Sequence, residues 1–151
     1  MPFDRLMGAL DNWAGNSAQT TPILAQTGST KFRPKNMRAV ESLSPAEFRD
    51  AIQAATVIVA HAGMGSVLTA LEFGKPLVVL PRLGALQETR NDHQVATARW
   101  LSTKPGIFVA MTDSELGDAI NRARAQARQT DTISPFATPA LIDALKTFIQ
   151  I

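Results

Sequence analysis

The stretch TVIVAHAGMGS, residues 56–66, decides the fold of this 151-residue chain. Its first half, Thr56 to Ala60, is a continuous run rich in β-branched residues, which suits a strand buried on both faces of a parallel sheet. Its second half places Gly63 and Gly65 directly before residues 67–73, a segment of helical character that stops at Gly74. The stretch therefore predicts a strand, a glycine loop and a helix in immediate succession.

The same alternation continues on both sides of this stretch. Further strands are predicted at residues 22–27, 77–80 and 107–110, and polar residues 28–36 are predicted to form a loop. Two capping boxes, Ser44 to Glu47 and Thr112 to Glu115, mark helix starts. Apolar spacing and caps predict helices over residues 3–15, 45–54, 92–101 and 115–129, and a terminal helix from Thr138 whose stripe comprises Leu141, Ile142, Leu145, Phe148, Ile149 and Ile151. That stripe either packs on the chain's own core or contacts a partner.

Strands separated by helices predict an α/β fold with a mostly parallel sheet and helices on both of its faces. The length and the 45% hydrophobic content predict one domain over residues 1–151. In such sheets ligands bind beyond the carboxyl ends of the strands. Residues 61–66 and 81–92 follow two strands and are therefore the predicted functional segments.

Composition excludes several classes of protein. No apolar run approaches the roughly 20 residues of a membrane-spanning helix, and a secretory signal and cysteines are both absent from the sequence, so a cytoplasmic protein is expected. The net charge is +2, but the basic residues are dispersed and form no cluster. We therefore expect no nucleic-acid partner.

The glycine loop has the chemistry of an anion site. Gly63, Met64, Gly65 and Ser66 lie at a predicted helix start, where backbone N–H groups lack intrahelical partners and the helix dipole favours negative charge. Glycine lets a phosphate approach the backbone, and Ser66 adds a hydroxyl donor or a cap. The alternative is a tight turn that binds nothing.

A second group of polar side chains follows the neighbouring strand. Arg82, Asn91, Asp92, His93 and Gln94 concentrate hydrogen-bonding groups at the same predicted edge and form a candidate sugar-binding wall. The alternative roles are helix caps for the Asn-Asp pair and a solvated charge for the arginine. The His-Gln pair falls in the first turn of the next helix, where contact with a ligand is the favoured interpretation.

The sequence lacks the motifs of several classes of enzyme and of a metal site. The two histidines, His61 and His93, have no further ligand at metal-binding spacing, so no metal site is expected. The Gly-x-Ser-x-Gly elbow, the Walker Gly-Lys-Ser/Thr and the third glycine of the dinucleotide fingerprint are all absent. A hydrolase, a nucleoside triphosphatase and a redox enzyme are disfavoured, and no cofactor is expected.

Three linked motifs give a family resemblance over residues 57–101. The motifs HAGMGS (61–66), GKPLVVLPR (74–82) and NDHQ (91–94) closely resemble the C-terminal domain of glycosyltransferase family 28. The segments PFDRL (2–6) and QTGST (26–30) are most similar to the catalytic subunit of bacterial two-component exopolysaccharide glycosyltransferases. The resemblance implies a Rossmann-like C-terminal half of a GT-B enzyme.

The resemblance also implies an activity and a set of partners. It implies transfer of a sugar from a UDP-sugar to a lipid-linked acceptor in polysaccharide synthesis, by a chain held at the inner membrane through a membrane-associated acceptor subunit. By the motif match, Gly63, Gly65 and Ser66 would face the diphosphate, and His93 and Gln94 would face the donor sugar or nucleoside. No cofactor is implied.

The chain departs from the family pattern at two places. Thr69 stands where relatives often carry a glutamate that holds the ribose hydroxyls. Relatives also have a strand and a Gly-Thr loop ahead of the Pro-Phe-Asp-Arg segment, so the first family strand is expected to be absent from residues 1–151. Its absence is expected to weaken the sheet and to remove part of the site.

Three functional hypotheses follow. In the first, the chain is the donor-binding, catalytic subunit, the helix after Gly65 stabilises the leaving diphosphate, and the catalytic base is either His61 or a group of the partner. His61 also has a structural or donor-contact alternative. In the second, the chain is a non-catalytic module that binds a nucleotide or a partner through an incomplete site. The third, a nucleotide-sugar epimerase, needs two domains in one chain and carboxylates that the sequence does not place.

Overall fold

The computed structural model describes residues 1–18 and 21–130, together with residues 143 and 147, and shows an α/β fold. Within this part of the chain, no helix is both long and apolar enough to cross a membrane. The helices are α1 (Asp4–Asn16), α2 (Pro45–Ala54), α3 (Met64–Glu72), α4 (His93–Leu101) and α5 (Leu116–Thr130). The strands are β1 (Leu24–Gln26), β2 (Arg38–Val40), β3 (Ile58–Ala60), β4 (Leu77–Val79) and β5 (Ile107–Val109).

Every strand pairing in the described chain is parallel, as the sequence predicts. The strands form two sheets, one in the order β2-β1 and one in the order β3-β4-β5. Ala25 is opposite Ala39 in the first sheet, and Val78 is opposite both Val59 and Phe108 in the second. Helical crossovers connect β3 to β4 and β4 to β5, which is the connection that parallel neighbours require.

Strand β4 is the buried centre of the larger sheet. Leu77, Val78 and Val79 are completely buried, because β4 has a strand on each side and helices on each face. The expectation that residues 56–60 form a strand buried on both faces is wrong. Strand β3 is only half-buried, since within the described residues it lies at the edge of its sheet and pairs only with β4.

Helices cover both faces of the larger sheet, as expected for a doubly wound fold. Successive side chains of β4 point to opposite faces, so one strand contributes to two apolar clusters. On the first face α1 and α5 pack against Val78 and Leu80, and on the second α3 and α4 pack against Leu77 and Val79. The core therefore holds the carboxyl ends of β3 and β4 in fixed positions.

The two predicted capping boxes have different outcomes. The first is confirmed at the start of α2, where Glu47 N donates to Ser44 Oγ (3.3 Å) and Ser44 N donates to Glu47 Oε2 (2.9 Å). The second is wrong. A 3₁₀ turn precedes α5, so the Glu115 carboxylate instead accepts from Met111 N at 2.7 Å, and the Thr112 hydroxyl contacts Ser114 Oγ.

Strand β2 is not predicted by the sequence, which indicates only a loop before it. The strand is three residues long and two of them are exposed, so it carries no apolar pattern. The segment that leads into β2 is held by a side chain of α1 instead. Asp11 is buried, and its Oδ1 accepts from Lys35 N (2.9 Å) and Asn36 N (2.7 Å). The predicted terminal helix, with its apolar stripe, lies outside the described residues.

An apolar groove of about 910 Å³ separates the two sheets, between β1 and β3. We name it the inter-sheet groove. Helix α2 has no buried residue, and its apolar side chains line the groove, so that Phe48 is 40% exposed. In a doubly wound sheet of order 3-2-1-4-5-6, the first strand lies between the strands that correspond here to β1 and β3. The groove therefore occupies the place of one strand.

Candidate functional site

The site lies where the strands β3 and β4 end at one edge of the sheet. Because the strands are parallel, their carboxyl ends bring the segments that follow them together. Residues 61–66, the glycine loop, follow β3, and residues 80–92, the β4–α4 loop, follow β4. His61 and Ser66 from the first segment and Arg82 from the second all line the inter-sheet groove.

Gly63 and Gly65 of the glycine loop differ in whether the structure has room for a side chain. A Cβ on Gly63 would lie 2.1 Å from His61 Cε1, so the imidazole ring occupies the space that a side chain would need. A Cβ on Gly65 would meet no atom within 4 Å, and Gly65 is exposed. Packing within the described chain therefore requires glycine at 63 but not at 65, where the bare backbone is open to a ligand.

Helix α3 presents its N-terminus to the same edge. Its N-cap is Gly63, and no side chain of the described residues caps it. The N–H groups of Met64, Gly65 and Ser66 belong to the first turn, where an α-helix has no internal acceptors for them. These donors, with the positive end of the helix dipole, form an anion-binding arrangement.

Two predicted site residues of α3 use their side chains inside the protein. The Thr69 hydroxyl donates to the Gly65 carbonyl at 2.9 Å, one turn back along the helix. The Met64 side chain packs against the apolar cluster beneath α3 and α4. Met64 therefore offers its backbone to the site, while Thr69 stays a predicted ribose contact whose hydroxyl is already bonded.

Arg82 is half-buried, and its guanidinium is held on several sides. Its Nη1 donates to Met1 O at 2.8 Å and to Glu88 O at 3.0 Å, and its Cζ lies 4.9 Å from the centre of the Phe3 ring. Burial lowers the pKa of Arg82, and the carboxylate of Glu88 acts in the opposite direction. The buried Nε has no hydrogen-bond partner among the described residues. Arg82 therefore places a fixed positive charge at the groove.

His61 is a second half-buried group of the groove with an unused polar atom. Its buried Nδ1 has no hydrogen-bond partner in the described part of the chain. Burial lowers the pKa of His61, and the positive charges of Arg82 and the N-terminal amine lower it further. The imidazole is therefore neutral at pH 7 and able to accept a proton or a hydrogen bond.

This pKa shift predicts a pH dependence of stability. Because the pKa of His61 is lower in the folded chain, the unfolded chain binds the proton first as the pH falls below the ordinary histidine value of about 6.5. The free energy of unfolding is therefore expected to decrease between that value and the lowered pKa. Urea denaturation at pH 8 and pH 5 measures this decrease, which should be smaller in His61→Asn; an equal decrease in both proteins contradicts the assignment.

Side chains at the start of α4 bond the backbone of the β4–α4 loop. Gln94 Oε1 accepts from Arg82 N at 3.0 Å, and Asp92 Oδ1 accepts from Gly84 N at 2.9 Å. Asn91 Oδ1 accepts from His93 N at 3.3 Å, but the N-cap position of α4 is Asp92, whose side chain makes no capping hydrogen bond, so the structure does not show the side-chain cap that the sequence anticipates here. Asn91, Asp92 and His93 are exposed and lie outside the groove lining, so only Gln94 of this motif contacts the groove's arginine directly.

The pairing of two further residues is not predicted by the sequence, although one of them, Glu88, lies in the predicted functional segment 81–92. Glu88 is buried in the β4–α4 loop, and its carboxylate binds the guanidinium of Arg5 from α1, with Arg5 Nε at 2.8 Å from Oε1 and Arg5 Nη2 at 2.9 Å from Oε2. The two residues are 83 positions apart, so no local spacing links them. The fold alone reveals the pair.

A comparison with protein families decides the classification. The model of the glycosyltransferase family 28 C-terminal domain matches residues 3–130. The chain belongs to this family. The match spans both sheets, the glycine loop and the β4–α4 loop, and confirms the family resemblance, the Rossmann-like GT-B C-terminal fold and a glycosyltransferase at family level.

A curated relative supports the same classification. The chain is 32% identical over 91 residues to the UDP-N-acetylglucosamine transferase subunit ALG13 of Mus musculus. The aligned region covers 57% of this chain and 8% of that protein. The family 28 domain described here thus corresponds to a small part of its relative.

Proposed function

We propose that this family 28 domain, as one unit over residues 1–151, binds the diphosphate of a UDP-sugar at the edge formed by the glycine loop and Arg82. One observation carries the proposal. Ser66, in the first turn of the uncapped helix α3, and the half-buried Arg82 line the same groove, and the backbone at Gly65 beside Ser66 is open. This is a set of preformed donors for an anion.

The chemistry of sugar transfer fits these donors. Negative charge develops on the leaving diphosphate when the glycosidic bond of a nucleotide sugar breaks. Fixed N–H groups, a helix dipole and a guanidinium stabilise that charge without reorganising during the reaction. His61 is neutral and faces the groove, so it is the candidate within this domain for accepting the proton of the acceptor hydroxyl. The other candidate source of the base is the partner.

The proposal includes a partner subunit. The mouse relative is named as a subunit of a UDP-N-acetylglucosamine transferase, which supports a UDP-sugar donor and an enzyme of more than one polypeptide. We extend this to a lipid-linked acceptor in polysaccharide synthesis, presented by a membrane-associated subunit that holds this cytoplasmic domain at the inner membrane. Sequence similarity to the two-component exopolysaccharide enzymes supports this extension.

A second function is favoured by the inter-sheet groove. The groove opens directly beside the proposed diphosphate site and divides the sheet that positions it. A domain with this division would bind a nucleotide or a partner without turnover. Addition of the acceptor subunit distinguishes the two functions, because sugar transfer to a lipid-linked acceptor appears only under the first.

Calorimetric titration with UDP, UDP-N-acetylglucosamine and GDP tests the donor site. We expect UDP and its sugar to bind and GDP to bind at least tenfold more weakly. Arg82→Ala should weaken UDP binding about 10- to 100-fold, because it removes a charge-assisted bond of about 1.5–3 kcal/mol at a half-buried position. Arg90→Ala is the matched control: Arg90 carries the same charge on the same loop but is exposed, so wild-type affinity is expected.

Two results would overturn this assignment. Equal losses of UDP affinity in Arg82→Ala and Arg90→Ala would show that only net charge matters. Unchanged affinity in Arg82→Ala would place the phosphates elsewhere.

A further inference from the structure

Beyond the buried Leu80 and Pro81, the β4–α4 loop carries Arg82 but has little apolar packing. Leu86 is 55% exposed, Gln87 has a positive φ of 56°, and a 3₁₀ turn over Gly84–Leu86 is the loop's regular element. Within the loop, Gln87 N donates to Gly84 O and Glu88 N donates to Leu83 O. Such a loop needs an anchor if it is to hold a side chain in one position.

Glu88 provides this anchor from inside the loop. Its Oε2 accepts from Leu83 N at 2.9 Å, and its backbone carbonyl accepts from Arg82 Nη1 at 3.0 Å. The same carboxylate binds Arg5 of α1 through both oxygens. Arg5 Nη2 also donates to Pro81 O at 2.6 Å, so Arg5 binds the loop near its start as well as at Glu88.

We propose that Arg5 and Glu88 are positioning residues that lock the β4–α4 loop to α1 and so hold the Arg82 guanidinium in place for the donor diphosphate. The inference rests on the proposed function and adds two residues to it. Neither residue needs to touch the ligand. Glu88 acts through Leu83 N and through its carbonyl on Arg82, and Arg5 acts through Glu88.

The strength of the lock follows from burial. The side chains of Arg5 and Glu88 are only 13% and 10% exposed, and a bidentate pair in this environment is stronger and geometrically more specific than a surface pair. Arg5 also lies 5.3 Å from the centre of the Phe3 ring, the ring over which Arg82 stacks. The two guanidinium groups are thus fixed by the same aromatic side chain as well as by Glu88.

Asp113 supplies a matched control. It accepts from Arg5 Nη1 at 2.6 Å, but its side chain is 51% exposed and it lies before α5, outside the β4–α4 loop. Asp113→Asn and Glu88→Gln each remove one negative charge that pairs with Arg5. A purely electrostatic role predicts similar effects, whereas the positioning role predicts a difference.

The experiment combines hydrogen exchange with calorimetry on the full chain, at a temperature where each variant is folded by circular dichroism. In Glu88→Gln we expect the amides of Leu86, Gln87 and Glu88 to exchange at least tenfold faster and UDP affinity to fall about tenfold. In Asp113→Asn we expect both to stay within twofold of wild type. Arg5→Lys keeps the charge but loses the two-pronged geometry, and should behave like Glu88→Gln.

Each outcome decides the inference. Unchanged exchange in Glu88→Gln and Arg5→Lys overturns the lock, and so does faster exchange with unchanged UDP affinity. If the wild-type chain does not bind UDP, the proposed function fails; the exchange rates then still show whether Glu88 orders the loop, and equal rates in Glu88→Gln and wild type would overturn that as well.

Discussion

Gly65→Ala is expected to stabilise the chain and to weaken its binding of UDP. A Cβ at this position meets no protein atom within 4 Å, and alanine is favoured over glycine in a helix by about 0.5–1 kcal/mol. The same Cβ would project toward the proposed position of the diphosphate at the start of α3. We expect the free energy of unfolding to rise by about that amount, while UDP affinity falls about tenfold for alanine and about 100-fold for Gly65→Val. Urea denaturation and calorimetry measure the two effects.

The neighbouring glycine provides the control for this pair of opposite effects. Gly63→Ala places its Cβ 2.1 Å from the His61 ring, so the ring or the loop must move. Overpacking of this kind costs about 1–3 kcal/mol of stability. We therefore expect Gly65→Ala to raise the free energy of unfolding and Gly63→Ala to lower it. Gly65 variants that bind UDP as tightly as wild type would remove the glycine loop from the site.

A strand added ahead of Met1 is expected to fill the inter-sheet groove and to stabilise the fold by up to about 4 kcal/mol. Strands β1 and β3 each pair on one side only within the described chain, and the space between them is apolar. Met1 lines the groove and accepts from Arg82 at the carboxyl edge, and α1 runs back from there toward β1. A segment of five Val and Ile residues, joined to Met1 by two small residues, would enter parallel to both strands in a right-handed crossover unit.

Two opposing contributions determine the size of this gain in stability. Each fully buried aliphatic side chain contributes about 1.5–3 kcal/mol, and ordering each residue costs about 1.5 kcal/mol. The control is the same segment with proline at its second and fourth positions, which removes backbone donors and prevents pairing on one edge. Urea denaturation of both proteins measures the gain. Equal stability of the two extended chains would contradict the assignment of the groove as the place of a strand.

Much of the fold is predictable from local patterns. The β-branched runs of residues 56–81, and the glycines between them, predict β3, α3 and β4 in the right order. The Ser44 capping box also forms as predicted. Burial is less predictable, because β3 and β4 have similar apolar runs and differ only in their place in the sheet. Strand β2 is held by Asp11, a contact between distant segments.

The candidate site also has one part that local sequence predicts and another that depends on the fold. The glycine loop can be predicted because backbone geometry at a strand-to-helix turn is a local property. The roles of the polar motif at 91–94 could not be predicted individually, since they depend on which loop amides lie within reach: Asp92 and Gln94 bond the β4–α4 loop, whereas His93 is exposed. The Arg5–Glu88 pair depends entirely on the fold that brings α1 to this loop.

The most direct test of the donor site is an NMR titration of the ¹⁵N-labelled chain with UDP. We predict that the largest shifts fall on the backbone amides of Met64, Gly65 and Ser66, which are the donors assigned to the diphosphate, and on the Nε–H of Arg82. Shifts centred instead on the small hollow formed by residues 27–33 and 39–41, or no shift at any of the assigned donors, would contradict the account.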